Sequence, residues 1–183
     1  AVDHAFINPL RLFWPGQNPP PVRTIPVAVN TVQYPLPRPS RCLALGKALG
    51  KAVASWPGDE KVVILGTGGM SHQLDGERAG FINRRFDEEC MLALLDNPEK
   101  LASYSIYELV REAGAQGAEI IMWLIARGAL TGTVSKVHSS YHVPISNTAA
   151  GVMDQRCPVA VPTFNLGYHG TIRHVTRASS TRS

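Results

Sequence analysis

Lys61-Val62-Val63-Ile64-Leu65-Gly66-Thr67-Gly68-Gly69-Met70-Ser71-His72 carries the strongest structural signal in the chain. Its first half is a short apolar run rich in β-branched residues, the pattern of a short buried strand. Its second half is a turn in which Gly66, Gly68 and Gly69 let the backbone bend tightly before Ser71 and His72. Upstream, Val22 to Asn30 is also strand-like, and Pro35, Pro37 and Pro39 mark an extended linker. Ser40 is the expected N-cap of a helix from Arg41 to Ser55, apolar at Leu43, Leu45, Ala48, Leu49, Ala52 and Val53. Trp56-Pro57-Gly58-Asp59 stops it. Strand, helix and strand in that order predict a βαβ unit, hence an α/β fold with a mostly parallel or mixed central sheet flanked by helices. Ligands of such sheets bind beyond the carboxyl ends of the strands. His72 stands at one such end.

Downstream, Phe81 to Asp96 reads as a helix and Pro98 to Leu101 starts a shorter one. Ser105 to Arg127 has a long helical pattern interrupted by Gly114 and Gly117. Either two helices are present, or the glycines form a break that lets a backbone or ligand come close. Val143 to Thr148 is expected to be a short extended piece. The first 24 residues mix Asn, Pro and Gly with apolar residues, and Asn18-Pro19-Pro20-Pro21 reads as a loop that cannot be helical. From Asp154 periodicity is lost, and Arg173 to Ser183 is rich in Ser, Thr and Arg. Residues 154–183 are therefore expected to be a disordered tail.

Composition bounds the possibilities. The chain has 183 residues, 44% hydrophobic and 17% charged, with no apolar run long enough for a membrane span. Its net charge of +4 is concentrated at the end: residues 154–183 carry +3 and the body only +1. A basic nucleic-acid face is thereby excluded from the body. Cys42, Cys90 and Cys157 form no Cys-x-x-Cys pair, which suits a reducing, cytoplasmic setting. The opening Ala1-Val2-Asp3-His4 has no signal-peptide pattern and reads as cut from something longer.

The glycine turn fails as a phosphate cradle, since no Lys-Ser/Thr follows it and the dinucleotide glycine spacing is absent. As a turn presenting His72 it offers an acid or base near neutral pH, against the plainer alternative of a surface histidine. Glu119, among Ala118, Ile120, Ile121, Met122 and Trp123, either lies on the wet face of a helix or is held by a partner or a metal. His138 and His142 have a spacing that could place two ligands on one helix face, but their surroundings speak against a zinc pair. His4 beside Asp3 is a weak oriented acid/base signal.

Gly66-Thr67-Gly68-Gly69-Met70-Ser71-His72-Gln73-Leu74, continuing from Gly76 to Asn83, resembles the class III extradiol ring-cleaving dioxygenases. Val2-Asp3-His4, Gly117-Ala118-Glu119 with Met122-Trp123-Leu124, and Tyr141-His142 to Ala149 match in the same order. The resemblance covers residues 1–153, as the C-terminal portion of a catalytic domain, and is strongest to the beta subunits of the protocatechuate 4,5-dioxygenase type. It implies a mononuclear Fe(II) held by two histidines and a glutamate, which chelates a catecholic ring and activates O2. Glu119 is then the carboxylate ligand, with both histidine ligands in a missing N-terminal part. His72 is the acid/base, His4 a second active-site histidine, and Ser146 and Asn147 line the substrate's carboxylate side. His138 and His142 are not carried over as ligands. The implied reaction is ring cleavage of protocatechuate to 4-carboxy-2-hydroxymuconate semialdehyde, with a small alpha subunit as partner. Gallate and 3-O-methylgallate are the alternative substrates, and a non-catalytic binding or scaffold relative is the alternative of another class. With one carboxylate left, the chain alone is expected to bind iron poorly and to be inactive.

Overall fold

The computed structural model describes residues 3–157 and the backbone of residues 163–166, in two compact units divided after Val27. The first contains α1 (His4–Phe13). Asp3, at the N-cap, accepts the Ala5 N–H at 2.8 Å and so satisfies one of the orphan donors of the first turn. Nothing in this mixed run of Asn, Pro, Gly and apolar residues marks the helix: Pro9 sits inside it, and the run before that proline is too short for periodicity to show.

In the second unit, α2 (Pro39–Ala54) is followed by β1 (Ile64–Thr67), α3 (Arg84–Asp96), α4 (Pro98–Ala102) and α5 (Ile106–Ala113). A 3-10 turn (Gln116–Glu119) leads into α6 (Ile120–Gly128), then β2 (Ser135–His142), β3 (Ala150–Arg156) and β4 (Thr163–Leu166). The four strands form one mixed sheet in the order β1-β4-β3-β2. The β1–β4 pair is parallel, and the β4–β3 and β3–β2 pairs are antiparallel.

The core is built around α6, which is apolar nearly all round and therefore buried. Trp123 is fully buried, and Ile121, Leu124, Leu94 and Leu109 pack in the same cluster. Helix α2 reaches α6 closely enough that glycine is required at the crossing. A Cβ on Gly46 would lie 2.1 Å from the Ile125 carbonyl oxygen, and one on Gly50 2.4 Å from that of Ala129.

Several expectations change. Val22 to Asn30 forms no strand, and Val22, Ile25 and Val27 are exposed. Pro26 removes a ladder donor in the middle of the run, so the βαβ unit loses its first strand. Helix α2 starts at Pro39, with Arg38 rather than Ser40 at the N-cap. Asn83 caps α3, whose first residue, Arg84, lies three residues later than the start expected at Phe81. Val143 to Thr148 is not extended but the loop that joins β2 to β3, with Ile145 and Ser146 in its turn. The stretch from Asp154, read as tail, completes β3 and supplies the backbone of β4 between β1 and β3. Residues 158–162 and 167–183, including the Ser/Thr/Arg-rich end, lie outside the described residues.

Candidate active site

Beyond β1 the chain turns through Gly68, whose φ of +140° no L side chain adopts readily, and Gly69, then runs past Met70, Ser71 and His72. Two neighbours clasp this turn. On one side, Met70 N–H donates to the Ala149 carbonyl (3.0 Å), Ala149 N–H donates to that of Ser71 (3.1 Å), and His72 pairs with Thr148 in a single bridge. On the other, His72 N–H donates to the Ala113 carbonyl at 2.8 Å, and Gly117 N–H donates to the His72 carbonyl at 3.3 Å. A Cβ on Gly114 would stand 2.3 Å from the His72 carbonyl oxygen, and one on Gly117 3.2 Å from the Ser71 Cα. Both readings of the glycine break are thus met: α5 and α6 are separate helices, and the gap between them admits the backbone of His72.

The His72 ring is buried, 6% exposed, so its proton positions matter. Nδ1 lies 2.8 Å from the Met70 carbonyl oxygen, which can only accept. Nδ1 therefore carries the proton, and in the neutral ring Nε2 keeps its lone pair. Nε2 is then the basic nitrogen of the ring.

Glu119 sits at the junction between the 3-10 turn and α6, half-buried. Its Oε2 accepts the Gly69 N–H at 2.8 Å, which pins the carboxylate against the glycine turn. Trp123 Nε1–H, one turn along α6, donates to the Gly68 carbonyl at 3.0 Å and holds the same turn from below. Glu119 also lines a cavity of about 110 Å³ with Gln116, Val110 and the Thr31–Leu36 segment. It lies neither on a wet helix face nor in a dry interior.

Ser146 and Asn147 are exposed in the β2–β3 loop, immediately before the bridge partner of His72. Asn147 has a φ of +52° and donates its N–H to the Pro144 carbonyl at 3.0 Å. The loop is fixed by its own turn, leaving the Ser146 hydroxyl and the Asn147 amide outside the sheet. His72, Glu119 and this loop are thus assembled around one glycine turn. His4 belongs to the other unit, where it opens α1 with Nδ1 3.5 Å from Asp3 Oδ1. His138 and His142 lie on strand β2, not on a helix, and both are exposed.

The residues that sequence reading missed are those behind the turn. Asp87, 2% exposed, accepts Ser71 N–H at Oδ1 (2.8 Å), and at Oδ2 both the Ser71 hydroxyl (2.5 Å) and the Tyr141 hydroxyl (2.8 Å). Burial raises its pKa above the usual carboxylate value, and the hydrogen bonds from Ser71 and Tyr141 draw it partly back. Tyr141 is pushed well up by burial and by the Asp87 charge, so it remains a hydroxyl donor. A signal existed: Asp87 shares a helical stripe with Cys90, Met91 and Leu94, at spacings of three, four and seven.

Among the described residues no three His, Cys, Asp or Glu side chains converge as metal ligands. Glu119, with one oxygen fixed by Gly69, suits a single carboxylate ligand. The described residues do not by themselves complete a 2-His-1-carboxylate iron site.

Residues 1–153 match the family described as the catalytic LigB subunit of aromatic ring-opening dioxygenase. The chain belongs to this family. Over 161 residues it is 38% identical to a gallate dioxygenase of Pseudomonas putida, covering 88% of this chain and 47% of that protein. Over 123 residues it is 33% identical to a 2,3-dihydroxyphenylpropionate/2,3-dihydroxicinnamic acid 1,2-dioxygenase of Photorhabdus laumondii, covering 66% and 37%. A protein of the same name from Pseudomonas putida is 43% identical over 72 residues, 39% of this chain and 22% of that protein. The chain spans less than half the length of these relatives. The extradiol-type LigB family expected from the sequence is therefore met, while these relatives are named for gallate and dihydroxyphenylpropionate rather than for protocatechuate. No helix among the described residues is long and apolar enough to cross a membrane.

Proposed function

We propose that the chain contributes acid/base and substrate-positioning residues to an Fe(II)-dependent extradiol dioxygenase whose substrate is gallate or a close relative such as 3-O-methylgallate. The observation that carries this reading is the glycine turn holding a buried, Nδ1-protonated His72 and the Glu119 carboxylate at its two ends. The extent of similarity to the gallate dioxygenase, 88% of this chain, favours gallate over protocatechuate.

His72 Nε2 is the base that takes a proton from a ring hydroxyl and later returns one. Burial keeps bulk water from competing for that proton. The Met70 carbonyl, by binding Nδ1–H, fixes the ring orientation and steadies the imidazolium as it forms. Ser146 and Asn147 offer a hydroxyl and an amide to the substrate's carboxylate, neutral donors that orient an anion while leaving the charge balance to the metal. Glu119 is one iron ligand, its Oε2 anchored by Gly69 N–H. When bound, iron would lower the pKa of the ring hydroxyls and activate O2. Its two histidine ligands come from outside the described residues. His4 is a second active-site histidine, and a small alpha subunit is the expected partner in a cytoplasmic enzyme.

The test is oxygen uptake by an iron-loaded protein in which this chain is completed to the length of its relatives, with gallate, 3-O-methylgallate and protocatechuate offered separately. Preferential uptake with gallate or its methyl ether supports the reading. Preference for protocatechuate overturns the substrate. No uptake with any of them, despite stoichiometric iron, points instead to a non-catalytic relative. The chain by itself is expected to bind Fe(II) weakly, which titration of the isolated chain measures directly.

A further inference from the structure

Within the sheet–helix junction, polarity is concentrated at one buried point. Ser71 is fully buried and Asp87 nearly so, yet neither faces the cavity beside Glu119. Ser71 gives both of its donors to the two oxygens of one carboxylate, its N–H to Oδ1 and its hydroxyl to Oδ2. Its hydroxyl oxygen in turn accepts the N–H of Asn83, the cap of α3, at 2.8 Å. Tyr141 on β2 adds a third bond to Asp87. The residue gripped in this way is the one that directly precedes His72.

A buried carboxylate is an expensive way to fill a core position, because apolar residues of similar volume would stabilise the fold as well or better. A fully bonded charged cluster differs from an apolar contact in direction: it fixes position and torsion, whereas hydrophobic packing fixes only proximity. Here every direction converges on the backbone next to the candidate base. The backbone bonds with Ala149 and Ala113 hold residues 70–72 on either edge, and Asp87, from α3, holds Ser71 between them.

We propose that Asp87 is a positioning residue for His72: its buried carboxylate grips Ser71 at backbone and side chain and thereby fixes where the His72 ring points. The importance of this for catalysis rests on the ring-opening reading, but the geometry does not. Asp87→Asn is the informative variant. An asparagine retains one accepting oxygen: its NH2 in place of Oδ2 faces the hydroxyls of both Ser71 and Tyr141, and in place of Oδ1 it faces the Ser71 N–H, so the full set of donor bonds to Asp87 cannot be kept.

The experiment uses the chain labelled with 15N-histidine, reading the ring nitrogens of His72 by NMR beside urea melts of each variant. In the wild type, the bond to Met70 predicts a single Nδ1–H tautomer. Asp87→Asn should abolish that single-tautomer signature, Ser71→Ala should weaken it, and Tyr141→Phe, which leaves both Ser71 bonds intact, should preserve it. Leu101→Ala, a core truncation in α4, is the matched control: it should lower the urea midpoint and leave the His72 signals unmoved. If Asp87→Asn and Ser71→Ala lower the midpoint yet leave the ring nitrogens as in the wild type, Asp87 is a structural group only and the proposal fails. If Asp87→Asn does not fold, Ser71→Ala decides by the same criterion. In the completed, iron-loaded protein, the same two variants should lose about 10- to 100-fold in kcat with KM within about twofold, the split expected when a catalytic group is misplaced but substrate still binds. Absence of ring cleavage in the wild type, with the NMR order preserved, would sink the ring-opening reading and leave the positioning role standing.

Discussion

The close approach of His72 to the α5–α6 junction can be tested with a single methyl group. Gly114 has φ +86° and ψ 165°, a region open essentially to glycine alone, and forcing alanine there costs roughly 1–3 kcal/mol. The added Cβ would also stand 2.3 Å from the His72 carbonyl oxygen and 2.9 Å from its carbonyl carbon. Those are backbone atoms, so neither can rotate away; overpacking of this kind adds about 1–3 kcal/mol. Gly114→Ala should therefore destabilise the chain by about 2–6 kcal/mol, a large share of the roughly 5–15 kcal/mol that holds an ordinary domain. Two companions separate the contributions. Gly132 has φ +74° with nothing within 4 Å, so its alanine variant feels backbone strain alone, about 1 kcal/mol. Gly46 lies inside α2, where alanine would ordinarily gain about 1 kcal/mol, but its Cβ would collide with the Ile125 carbonyl. Urea unfolding of the three variants should rank Gly114→Ala as most destabilised, with Gly46→Ala also a net loss. Equal losses for Gly114→Ala and Gly132→Ala would refute the contact with His72. Only Gly114→Ala should also move the His72 amide resonance, because His72 N–H binds the neighbouring Ala113 carbonyl.

Three further outcomes follow from the same structure. Cys42, whose thiol burial pushes up to about 11, and Cys90, raised further by burial and the Asp87 charge, should resist a thiol reagent such as DTNB until the chain is unfolded. Half-exposed Cys157 should react first, and rapid labelling of Cys90 in the folded chain would contradict its burial. Because burial raises the Asp87 pKa in the folded state, the native chain holds that proton more tightly than the unfolded one. Its contribution to stability is therefore fullest below the unfolded value near 3.9 and is lost as pH rises through the folded value. The stability of the wild type relative to Asp87→Asn, from urea melts at about pH 4 and pH 7, should accordingly fall toward pH 7. Asn83→Ala removes the side-chain cap of α3 at Phe86 N–H and the bond to the Glu112 carbonyl, and should cost about 0.5–2 kcal/mol by the same melts.

What the sequence revealed, and what it concealed, divides along a physical line. Helices α2, α3, α4 and α5 announce themselves because local chemistry specifies them: proline or a capping side chain at the start, apolar spacing behind it, and for α5 a Ser105–Glu108 capping box. The glycines at 114 and 117 were legible as a break, but not which backbone would occupy it, since that partner lies some forty residues away. Strand β2 left no such trace. Ser135–His142 is an edge strand with nearly every side chain exposed, so neither alternation nor hydrophobicity marks it. The false strand at Val22–Asn30 shows the converse error: Val and Ile give β-propensity, but propensity yields a strand only where a neighbour completes the ladder, and Pro26 breaks this one.

The same division runs through the candidate site. His72 and Glu119 were suspected from their own neighbours, a glycine turn and an apolar run, because each is chemically conspicuous where it stands. Asp87 was not, since an acidic residue in Arg84-Arg85-Phe86-Asp87-Glu88-Glu89 looks like one more charge on a solvated helix face. The charges around it do behave that way: Arg84 pairs with exposed Glu88 and Arg85 with Glu89, i,i+4 contacts worth little in water. Asp87 alone points inward, toward Ser71 and Tyr141, residues 16 and 54 positions away. Helical phase separates the two kinds of acid, because Cys90, Met91 and Leu94 define the buried stripe and only Asp87 among these charges falls on it. A charge on the apolar stripe of an otherwise ordinary amphipathic helix must have a partner, or the helix would not pack. Here that partner is the residue next to the candidate base.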